Sequence, residues 1–272
     1  MDDKTSKGVS VVIYVEPRAG LCNRMRVIES AYNLSIKYNS RVTVLWRVSK
    51  GLNCSYYDLF CKNNRIQVIE TKFKFSFRFL VNALKCKKIF LNAKDEERSE
   101  IEKQLEGDNN KDIYINTVFP FHDIKNYVEF EPAQDIKEKI SNICEKNFRT
   151  NTIGIHIRRT DNVNAIKYSP LDLFEKFIAK EIQKDKDVRF YLSTDSVDIE
   201  NKITNMFGLY IIVNSNKTWG RDSKQGMKDA LIDLGCLSNC RIVAGSYYSS
   251  FSETAAQWGK EKKLIILSDK DV

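Results

Sequence analysis

The sequence predicts an α/β protein with two Rossmann-like halves, each built on a parallel, doubly wound sheet. Three observations lead to this fold class. Apolar segments of strand length alternate with amphipathic segments of helix length along the chain. The chain has 272 residues, which is enough for two modest domains with a core each. The sequence contains no repeat of fixed period and no low-complexity segment, either of which would indicate another class.

The first half begins with an apolar strand, a turn and a long helix. Val9–Val15 reads V-S-V-V-I-Y-V and leads into the turn Glu16–Arg24. The helix Leu21–Tyr38 carries apolar residues at helical spacing on one stripe. Further elements are predicted as strands Arg41–Trp46, Arg65–Ile69 and Ile113–Asn116, a solvated helix and loop over Glu96–Asn110, and a helix from Pro132 to Asn147. The aromatic and basic segment Phe73–Leu84 receives no assignment.

The second half alternates more regularly. A strand at Ile153–Arg158 precedes the helix Leu171–Gln183, whose start is marked by a Ser-Pro pair. The elements that follow are strand Val188–Leu192, a helix ending near Phe207, strand Leu209–Val213, helix Lys224–Leu237, strand Arg241–Ala244, helix Ser252–Trp258 and strand Lys263–Leu267. We therefore expect domains of residues 1–148 and 149–272, with a cleft between them.

The chain is basic, with a net charge of +8 and a pI near 9.0. This charge favours anionic partners such as nucleotides, phosphorylated lipids, membrane surfaces or nucleic acid, without choosing among them. Acidic residues are distributed among the motif residues described below, so we predict no nucleic-acid partner. Peripheral contact of the basic segment Phe73–Lys88 with a membrane stays open.

Neither a membrane span nor a secretion signal is predicted. No apolar run reaches the length that crosses a bilayer, and the first residues, M-D-D-K-T-S-K-G, are polar. The seven cysteines are an odd number without a C-x-x-C pair, so we expect reduced thiols, no zinc site and a cytoplasmic location. The D-x-D triplet Asp185–Asp187 precedes a predicted strand and Asp269–Asp271 lies at the end of the sequence, so we interpret both as solvated charge rather than a metal site.

The segment Thr152–Asn162, T-I-G-I-H-I-R-R-T-D-N, is the most informative in the chain. Alternation places His156 and Arg158 on one face of a strand, close to its carboxyl end. Ligands of open α/β sheets bind outside the carboxyl ends of the strands, and paired guanidinium groups suit phosphate oxygens. Arg158 and Arg159 therefore predict a diphosphate site. The alternative is solvated surface charge, although a histidine inside an apolar strand needs a polar partner or a ligand.

Other polar groups are expected at strand ends and helix starts. Gly20 and Asn23 lie where the first helix begins, in a turn that lacks the three glycines of a dinucleotide site. Asp195 directly follows a strand, where it either accepts hydrogen bonds from a base or ribose or caps the next helix. Asp233 lies within a helix, where a lone acid is usually surface charge.

The segment Gly245–Ser252 combines a strand end, hydroxyl groups, aromatic rings and a helix start. Backbone amides and the hydroxyl groups of Ser249 and Ser250, beside Phe251, make a natural phosphate site at a helix N-terminus. A simple helix cap is the alternative. A cap accounts for Ser252 but not for the concentration of tyrosines and serines before it.

Taken together, these segments resemble the superfamily of α1,2-, α1,6- and protein O-fucosyltransferases, which includes the bacterial nodulation fucosyltransferases. The matching segments occur in the family's order at Arg18–Arg24, His156–Asp161, Tyr191–Ser196, Asp233–Ser238 and Ser249–Ser252. The resemblance implies a GT-B-type fold of two Rossmann-like domains facing a cleft. It also implies an inverting, metal-independent transfer of fucose from GDP-fucose to a glycan or glycoconjugate, with no cofactor besides this donor substrate.

The resemblance further implies roles for individual residues. The donor would be held mostly by the C-terminal half, where Arg158 contacts the β-phosphate and stabilises the departing GDP. His156 would orient the diphosphate or the ribose, and Asp233 would hold the guanine. Ser249 and Ser250 would contact the phosphates. The N-terminal half would bind the acceptor, with its first turn lining the cleft near the fucose through Gly20 and Asn23.

The general base is the point where this chain departs from the family. The α1,6 enzymes carry a lysine after the aspartate of the motif and a glutamate shortly beyond, whereas this chain has Asn162 and then Val163–Ile166. Asp161 is the first candidate, because an acid beside the diphosphate could accept the proton of the acceptor hydroxyl. Glu16 is the second candidate. The structural alternative for Asp161 is a salt bridge to Arg159.

Two alternatives to this function stay open. The chain could be a GT-B glycosyltransferase with another nucleotide-sugar donor, or a nucleotide-binding protein without catalytic activity.

Overall fold

The structure is a computed structural model that describes residues 11–71, 86, 88–106, 112–258 and 262–270. Contacts divide the chain into two compact units. The first comprises Met1–Tyr56 and Lys62–Lys125, and the second comprises Tyr57–Cys61 and Asn126–Val272. The assignment of an acceptor side and a donor side to the predicted domains stays a prediction.

The first unit contains a parallel sheet in the order β3-β2-β1-β5-β4. Its elements are β1 (Val12–Pro17), α1 (Leu21–Lys37), β2 (Arg41–Arg47), β3 (Gln67–Thr71), β4 (Lys88–Leu91), α2 (Arg98–Glu106) and β5 (Ile113–Thr117). Central strand β1 buries Ile13 and Val15 completely. The predicted apolar stripe of α1 is buried as expected, with Met25 and Ile28 fully enclosed.

Two elements of the first unit differ from the prediction. Strand β4 was not predicted, because its four residues, K-I-F-L, are too few to show a periodic pattern. Strand β3 (Gln67–Thr71) begins and ends two residues later than the predicted strand Arg65–Ile69. The segment Phe73–Leu84 lies outside the described residues, as do the first two residues of the predicted strand Val9–Val15.

The second unit contains a parallel sheet in the order β10-β9-β6-β7-β8. Its strands are β6 (Ile153–Ile157), β7 (Phe190–Thr194), β8 (Ile211–Ile212), β9 (Ile242–Ser246) and β10 (Lys263–Leu267). Its helices are α3 (Gln134–Asn147), α4 (Val163–Tyr168), α5 (Leu171–Lys184), α6 (Val197–Phe207), α7 (Lys224–Ser238) and α8 (Ser250–Gln257). Strands β6, β7 and β8 lie side by side in chain order, as the three strands of one half of a Rossmann fold do.

The core of the second unit lies between the sheet and its helices. Strand β6 is buried along its whole length. Phe174 and Ile178 of α5 lie one helical turn apart and pack into the same cluster as Ile155. Helix α4 was not predicted, because its six residues are too few to show a periodic pattern.

The two parallel sheets confirm the predicted α/β class. Within the described part of the chain, no helix has both the length and the apolar character needed to cross a membrane.

Candidate functional site

The candidate site lies at the carboxyl ends of β6 and β9 in the second unit. Strand β6 has β7 on one side and β9 on the other. The chain proceeds from β6 to β7 and β8, and then returns to the opposite side of β6 to form β9 and β10. This reversal is the topological switch point at which open α/β sheets bind ligands. The motif His156–Asp161 and the segment Gly245–Ser252 both reach this point.

His156 is a buried residue held by helix α8. Its Nδ1 atom lies 2.8 Å from Oγ of Ser252 and 3.5 Å from Oγ of Ser249. Its ring stacks on Phe251, with ring centroids 4.7 Å apart. Burial, reinforced by the positive charge of Arg158, lowers the pKa of His156 to about 3. The imidazole is therefore neutral near neutral pH, and its Nε2 atom is the one left to serve a ligand.

Gly245 allows helix α8 to approach β9 this closely. A Cβ atom at this position would lie 2.1 Å from Oγ and 2.4 Å from Cβ of Ser252. Any side chain would push α8 away from the sheet, and with it the contact between Ser252 and His156. The glycine is needed for this close approach.

Arg158 places its guanidinium group at the switch point. Its Nη1 atom lies 3.1 Å from Oδ2 of Asp195, and its Nη2 atom donates to Asp161. Its backbone N–H donates to Oγ of Ser246 at 3.0 Å. The side chain is about one-fifth exposed. This arginine is anchored at both ends while part of its surface stays accessible.

Arg159 turns in another direction. Its guanidinium group donates to the carbonyl oxygen of Ser169 at 2.5 Å and to that of Arg158 at 2.8 Å, and it lies over the ring of Phe174. Burial lowers the pKa of Arg159. The structure therefore does not bring the two predicted guanidinium groups together as a pair, and the predicted donor-binding role of Arg159 stays a prediction.

Asp195 organises the loop that follows β6. Its carboxylate accepts hydrogen bonds from the backbone N–H of Arg159 at 2.7 Å and from the N–H and hydroxyl groups of Thr160. Burial opposes ionisation of Asp195, but Arg158 and these hydrogen bonds outweigh it and lower the pKa of Asp195. Ser196, rather than Asp195, caps α6. The helix-cap alternative for Asp195 is wrong.

Asp161 is half exposed and lies between two arginines. It accepts hydrogen bonds from Arg158 and from Arg221. The structural alternative for Asp161, a salt bridge to Arg159, is therefore wrong, because the contacts are to Arg158 and Arg221. Asp161 therefore lies beside the guanidinium group of Arg158 at the switch point.

The start of helix α8 contributes the predicted serines. Ser249 is the N-cap residue and is buried beside His156, and Ser250 is the first helical residue. The N-terminal amides of α8 therefore lie next to the imidazole. This arrangement suits an anion.

Asp233 is buried, contrary to the expectation for a lone acid within a helix. Tyr191 donates to its Oδ1 at 2.6 Å, and Ser193 and Lys217 donate to its Oδ2 at 3.1 and 3.3 Å. Burial raises the pKa of Asp233 despite these partners. The carboxylate is thus part of an internal polar network beneath the end of β7.

The predicted residues of the first unit lie at the carboxyl end of β1. Gly20 is the N-cap of α1, and Oδ1 of Asn23 accepts a hydrogen bond from Arg26. Glu16 is buried and pairs with Arg47 at 2.5 Å and with the hydroxyl group of Tyr114. Both oxygens of the Glu16 carboxylate are therefore engaged inside the unit.

Sequence reasoning missed Arg24, Ser246 and Lys217. Arg24 is buried, donates to the carbonyl oxygen of Arg47 at 2.7 Å and lies 4.7 Å from the ring centroid of Trp46. Burial lowers the pKa of Arg24 to about 10. Ser246 was visible as a serine at a strand end, but no pattern along the chain indicated that Lys217 would be buried.

Among the described residues, no group of three or more histidines, cysteines or acids could hold a metal ion.

Comparisons with known proteins identify the fold. No family model and no curated protein matches the sequence. NodZ, an α-1,6-fucosyltransferase solved with GDP, gives a TM-score of 0.63 at 19% identity, covering 90% of this chain and 91% of its own. NodZ from Bradyrhizobium gives 0.63 at 18%, covering 90% and 92%.

Two further solved structures agree. POFUT1 in complex with GDP gives a TM-score of 0.55 at 8% identity, covering 95% of this chain and 98% of its own. A mutant of FUT1 from Arabidopsis thaliana in complex with GDP gives 0.59 at 14%, covering 95% and 70%. The chain therefore has the GT-B-type fold of the fucosyltransferases, which confirms the predicted resemblance at the level of fold.

Proposed function

We propose that this protein is a fucosyltransferase that transfers fucose from GDP-fucose to a hydroxyl group of a glycan or glycoconjugate. The transfer inverts the anomeric carbon and needs no metal ion. The observation that carries the proposal is the position of Arg158, His156 and the start of α8 around one topological switch point. The likeness in fold to fucosyltransferases solved with GDP and soaked with GDP-fucose supports this choice of donor.

The leaving diphosphate gains negative charge as the bond between fucose C1 and the phosphate oxygen breaks. In this proposal Arg158 and the N-terminal amides of α8 stabilise that charge, as preorganised groups do most effectively in a site with little water. His156 is neutral and orients the diphosphate or the ribose through Nε2, because its Nδ1 is engaged by Ser252. Ser249 and Ser250 add hydroxyl groups at the same helix start.

The acceptor oxygen forms its bond to C1 from the face opposite the departing GDP, which accounts for inversion. Its proton passes to Asp161 in this proposal. Both carboxylates are bonded on both oxygens, Asp161 by Arg158 and Arg221 and Glu16 by Arg47 and Tyr114, but the Asp161 side chain is 53% exposed and that of Glu16 only 6%. A base must reach the incoming hydroxyl group. Solvent access therefore favours Asp161 over Glu16.

On the donor side, Asp233 is proposed to hold the guanine, and Asp195 to position Arg158. On the acceptor side, Gly20 and Asn23 are proposed to lie near the fucose. The cytoplasmic location and the absence of a cofactor besides the donor stay predictions.

The test is an incubation of the protein with labelled GDP-fucose and a panel of glycan acceptors, with and without EDTA. We expect label transfer to at least one acceptor, unaffected by EDTA, and a product whose anomeric configuration by NMR is opposite to that of the donor. Thermal-shift competition among GDP, UDP and ADP identifies the nucleotide. Stabilisation by UDP alone would show that the donor is a UDP-sugar rather than GDP-fucose. GDP binding without transfer or hydrolysis would indicate a non-catalytic nucleotide-binding protein.

A further inference from the structure

Lys217 is a buried ammonium group held between two acids. It lies on the loop between β8 and α7, and its side chain is 5% exposed. Its Nζ atom is 2.5 Å from Glu200 and 3.3 Å from Oδ2 of Asp233, and 4.3 Å from the ring centroid of Trp219. A buried ammonium carries a desolvation cost that only close partners offset. The fold maintains this costly arrangement beside a residue already proposed to contact the base.

The contacts of Lys217 and Asp233 leave hydrogen-bonding positions unused on both side chains. The ammonium group has three N–H donors. One of them bonds Oδ2 of Asp233, and a second direction is taken by the close ion pair with Glu200, whose Oε2 makes no hydrogen bond among the described residues. Oδ1 of Asp233 accepts from Tyr191, and a carboxylate oxygen accepts two hydrogen bonds. One donor on Lys217 and one acceptor position on Asp233 remain for a ligand.

Asn214 provides a second, independent observation. It is 1% exposed, and within the described chain neither its Oδ1 nor its Nδ2 has a hydrogen-bond partner. Leaving a buried polar group unsatisfied costs roughly 1–3 kcal/mol. A buried amide with both polar atoms open is the feature expected of a residue that bonds to a ligand.

The register of the sheet, extended beyond β8, places Asn214 on the face that carries Tyr191 and Ser193. Ile212 of β8 is paired with Tyr191 of β7. Continuing that register by two residues sets Asn214 beside Ser193, and residues two apart in a strand share a face. Tyr191 and Ser193 both donate to Asp233 from that face. Strand β8 ends at Ile212, so this position of Asn214 on the face of the network is an extension of the register by two residues.

The spacing of the strand ends suits a nucleoside diphosphate that extends from β6 to β8. Neighbouring strands are roughly 4.8 Å apart, so the ends of β6 and β8 are separated by roughly 10 Å. In a Rossmann half, the phosphates bind at the first strand and an acid at the end of the second strand contacts the ribose. Asp195 occupies that second position. The end of the third strand, where Asn214 and Lys217 lie, is left for the base.

We propose that Lys217 and Asn214 set the base specificity of this site. Lys217 donates to the O6 carbonyl oxygen of guanine while Asp233 accepts from the adjacent ring N–H, and Asn214 adds a neutral donor and acceptor at the same edge. Adenine carries an amino donor where guanine has O6, so the ammonium group would oppose adenine. This inference rests on the proposed function and adds two residues that neither the motifs nor the resemblance indicated.

The test measures binding of GDP, ADP and the diphosphate of 2-aminopurine riboside, which lacks both O6 and the adjacent ring N–H, by calorimetry. Hydrogen bonds to charged groups contribute about 1.5–3 kcal/mol, which corresponds to roughly 10- to 100-fold in affinity. We expect the wild type to prefer GDP over the 2-aminopurine nucleotide by that factor. Lys217→Met should reduce the preference by roughly tenfold or more, and the remaining preference reflects the contact of Asp233 with the ring N–H.

Lys139→Met is the matched control. Lys139 pairs at 3.0 Å with the buried Asp229, which lies one turn before Asp233 on α7. This variant removes the lysine of another lysine–aspartate pair whose aspartate lies on the same helix as Asp233, and it should retain the full preference for GDP. A Lys217→Met protein that discriminates as well as the wild type would overturn the inference and leave fucosyl transfer untouched. Absence of binding by every nucleotide to the wild type would instead refute the proposed function.

Asn214→Leu keeps the inference testable if Lys217→Met does not fold. Replacing an unsatisfied amide by an apolar side chain of similar size should raise the melting temperature. The same change should weaken GDP binding roughly tenfold. Unchanged GDP affinity in Asn214→Leu would overturn the role of Asn214.

Discussion

The imidazole Nδ1 of His156 lies 2.8 Å from the hydroxyl oxygen of Ser252 and joins the central strand β6 to helix α8. Ser252→Ala would leave a buried ring nitrogen without this partner. We expect the free energy of unfolding to fall by about 1–3 kcal/mol and GDP binding to weaken, as measured by chemical denaturation and calorimetry.

Ser238→Ala is the control for this substitution, because among the described residues the Ser238 hydroxyl group bonds only to the carbonyl oxygen of Gly235 in its own helix. We expect it to change stability by less than about 0.5 kcal/mol. Equal losses in the two variants would show that the contact between Ser252 and His156 has no special importance.

The stability of the protein should depend on the protonation of His156. Burial lowers its pKa in the fold to about 3 from the ordinary 6.5. Between these values the unfolded chain binds the proton and the folded protein does not, so stability is lost as the pH falls through this window. The slope is at most about 1.4 kcal/mol per pH unit.

Chemical denaturation of the wild type and His156→Gln at about pH 7.5 and about pH 5 measures this effect. The wild type should lose more stability than the variant on acidification, because the other titrating groups are common to both. The same loss in both proteins would mean that His156 is not held neutral.

Although Arg158 and Arg159 are adjacent, we expect substitution of Arg158 to affect turnover and substitution of Arg159 to affect mainly stability. Arg158→Ala should reduce kcat by roughly 100- to 1,000-fold, the usual effect of removing a group that stabilises transition-state charge. Arg158→Lys should restore only part of that loss, because an ammonium group lacks the planar fork of guanidinium.

Arg159→Ala should act mainly through stability, since its guanidinium group bonds the carbonyl oxygens of Ser169 and Arg158. We expect a lower melting temperature and a smaller loss of kcat than in Arg158→Ala. Loss of GDP binding in Arg159→Ala without any loss of stability would support the donor-binding role that the sequence predicts for it.

The parts of the site that could be predicted are those encoded within a few consecutive residues. The alternation around His156 revealed a buried strand, and the arginine after it indicated where that strand ends. The α/β class and the parallel sheets were implied by the alternation of strands and helices, whereas the strand order that makes this end a switch point comes from the structure.

The parts that could not be predicted depend on partners far apart in the chain. Asp233 reads as surface charge within its helix, but Tyr191 and Ser193, some forty positions earlier, bury it. The direction of Arg159 is set by a carbonyl oxygen at Ser169. Local patterns contain no information about such contacts.

The approach of α8 to β9 should tolerate no side chain at Gly245. The added Cβ atom of Gly245→Ala would lie 2.1 Å from Oγ of Ser252, so the helix must shift and carry the His156 contact with it. Overpacking of this kind costs roughly 1–3 kcal/mol, and GDP affinity should fall together with stability.

Gly51→Ala is the matched control, because the nearest atom to its added Cβ would be Oγ of Ser49 at 4.0 Å. Its melting temperature and GDP affinity should stay close to those of the wild type. A Gly245→Ala protein as stable as Gly51→Ala would show that α8 is free to move.

Asp161 and Glu16 compete for the role of general base, and their surroundings predict different outcomes of neutralisation. Asp161→Asn keeps the shape of the side chain but removes its ability to accept a proton. Loss of a general base lowers kcat by roughly 100- to 10,000-fold. GDP affinity should change far less, because the diphosphate charge is met by Arg158 and helix α8.

In contrast, Glu16→Gln would disturb a buried pair with Arg47 and Tyr114, so stability should fall before turnover does. Transfer rates, GDP binding and denaturation of both variants therefore separate the candidates: a stable Glu16→Gln protein without turnover, beside an active Asp161→Asn protein, would transfer the role to Glu16.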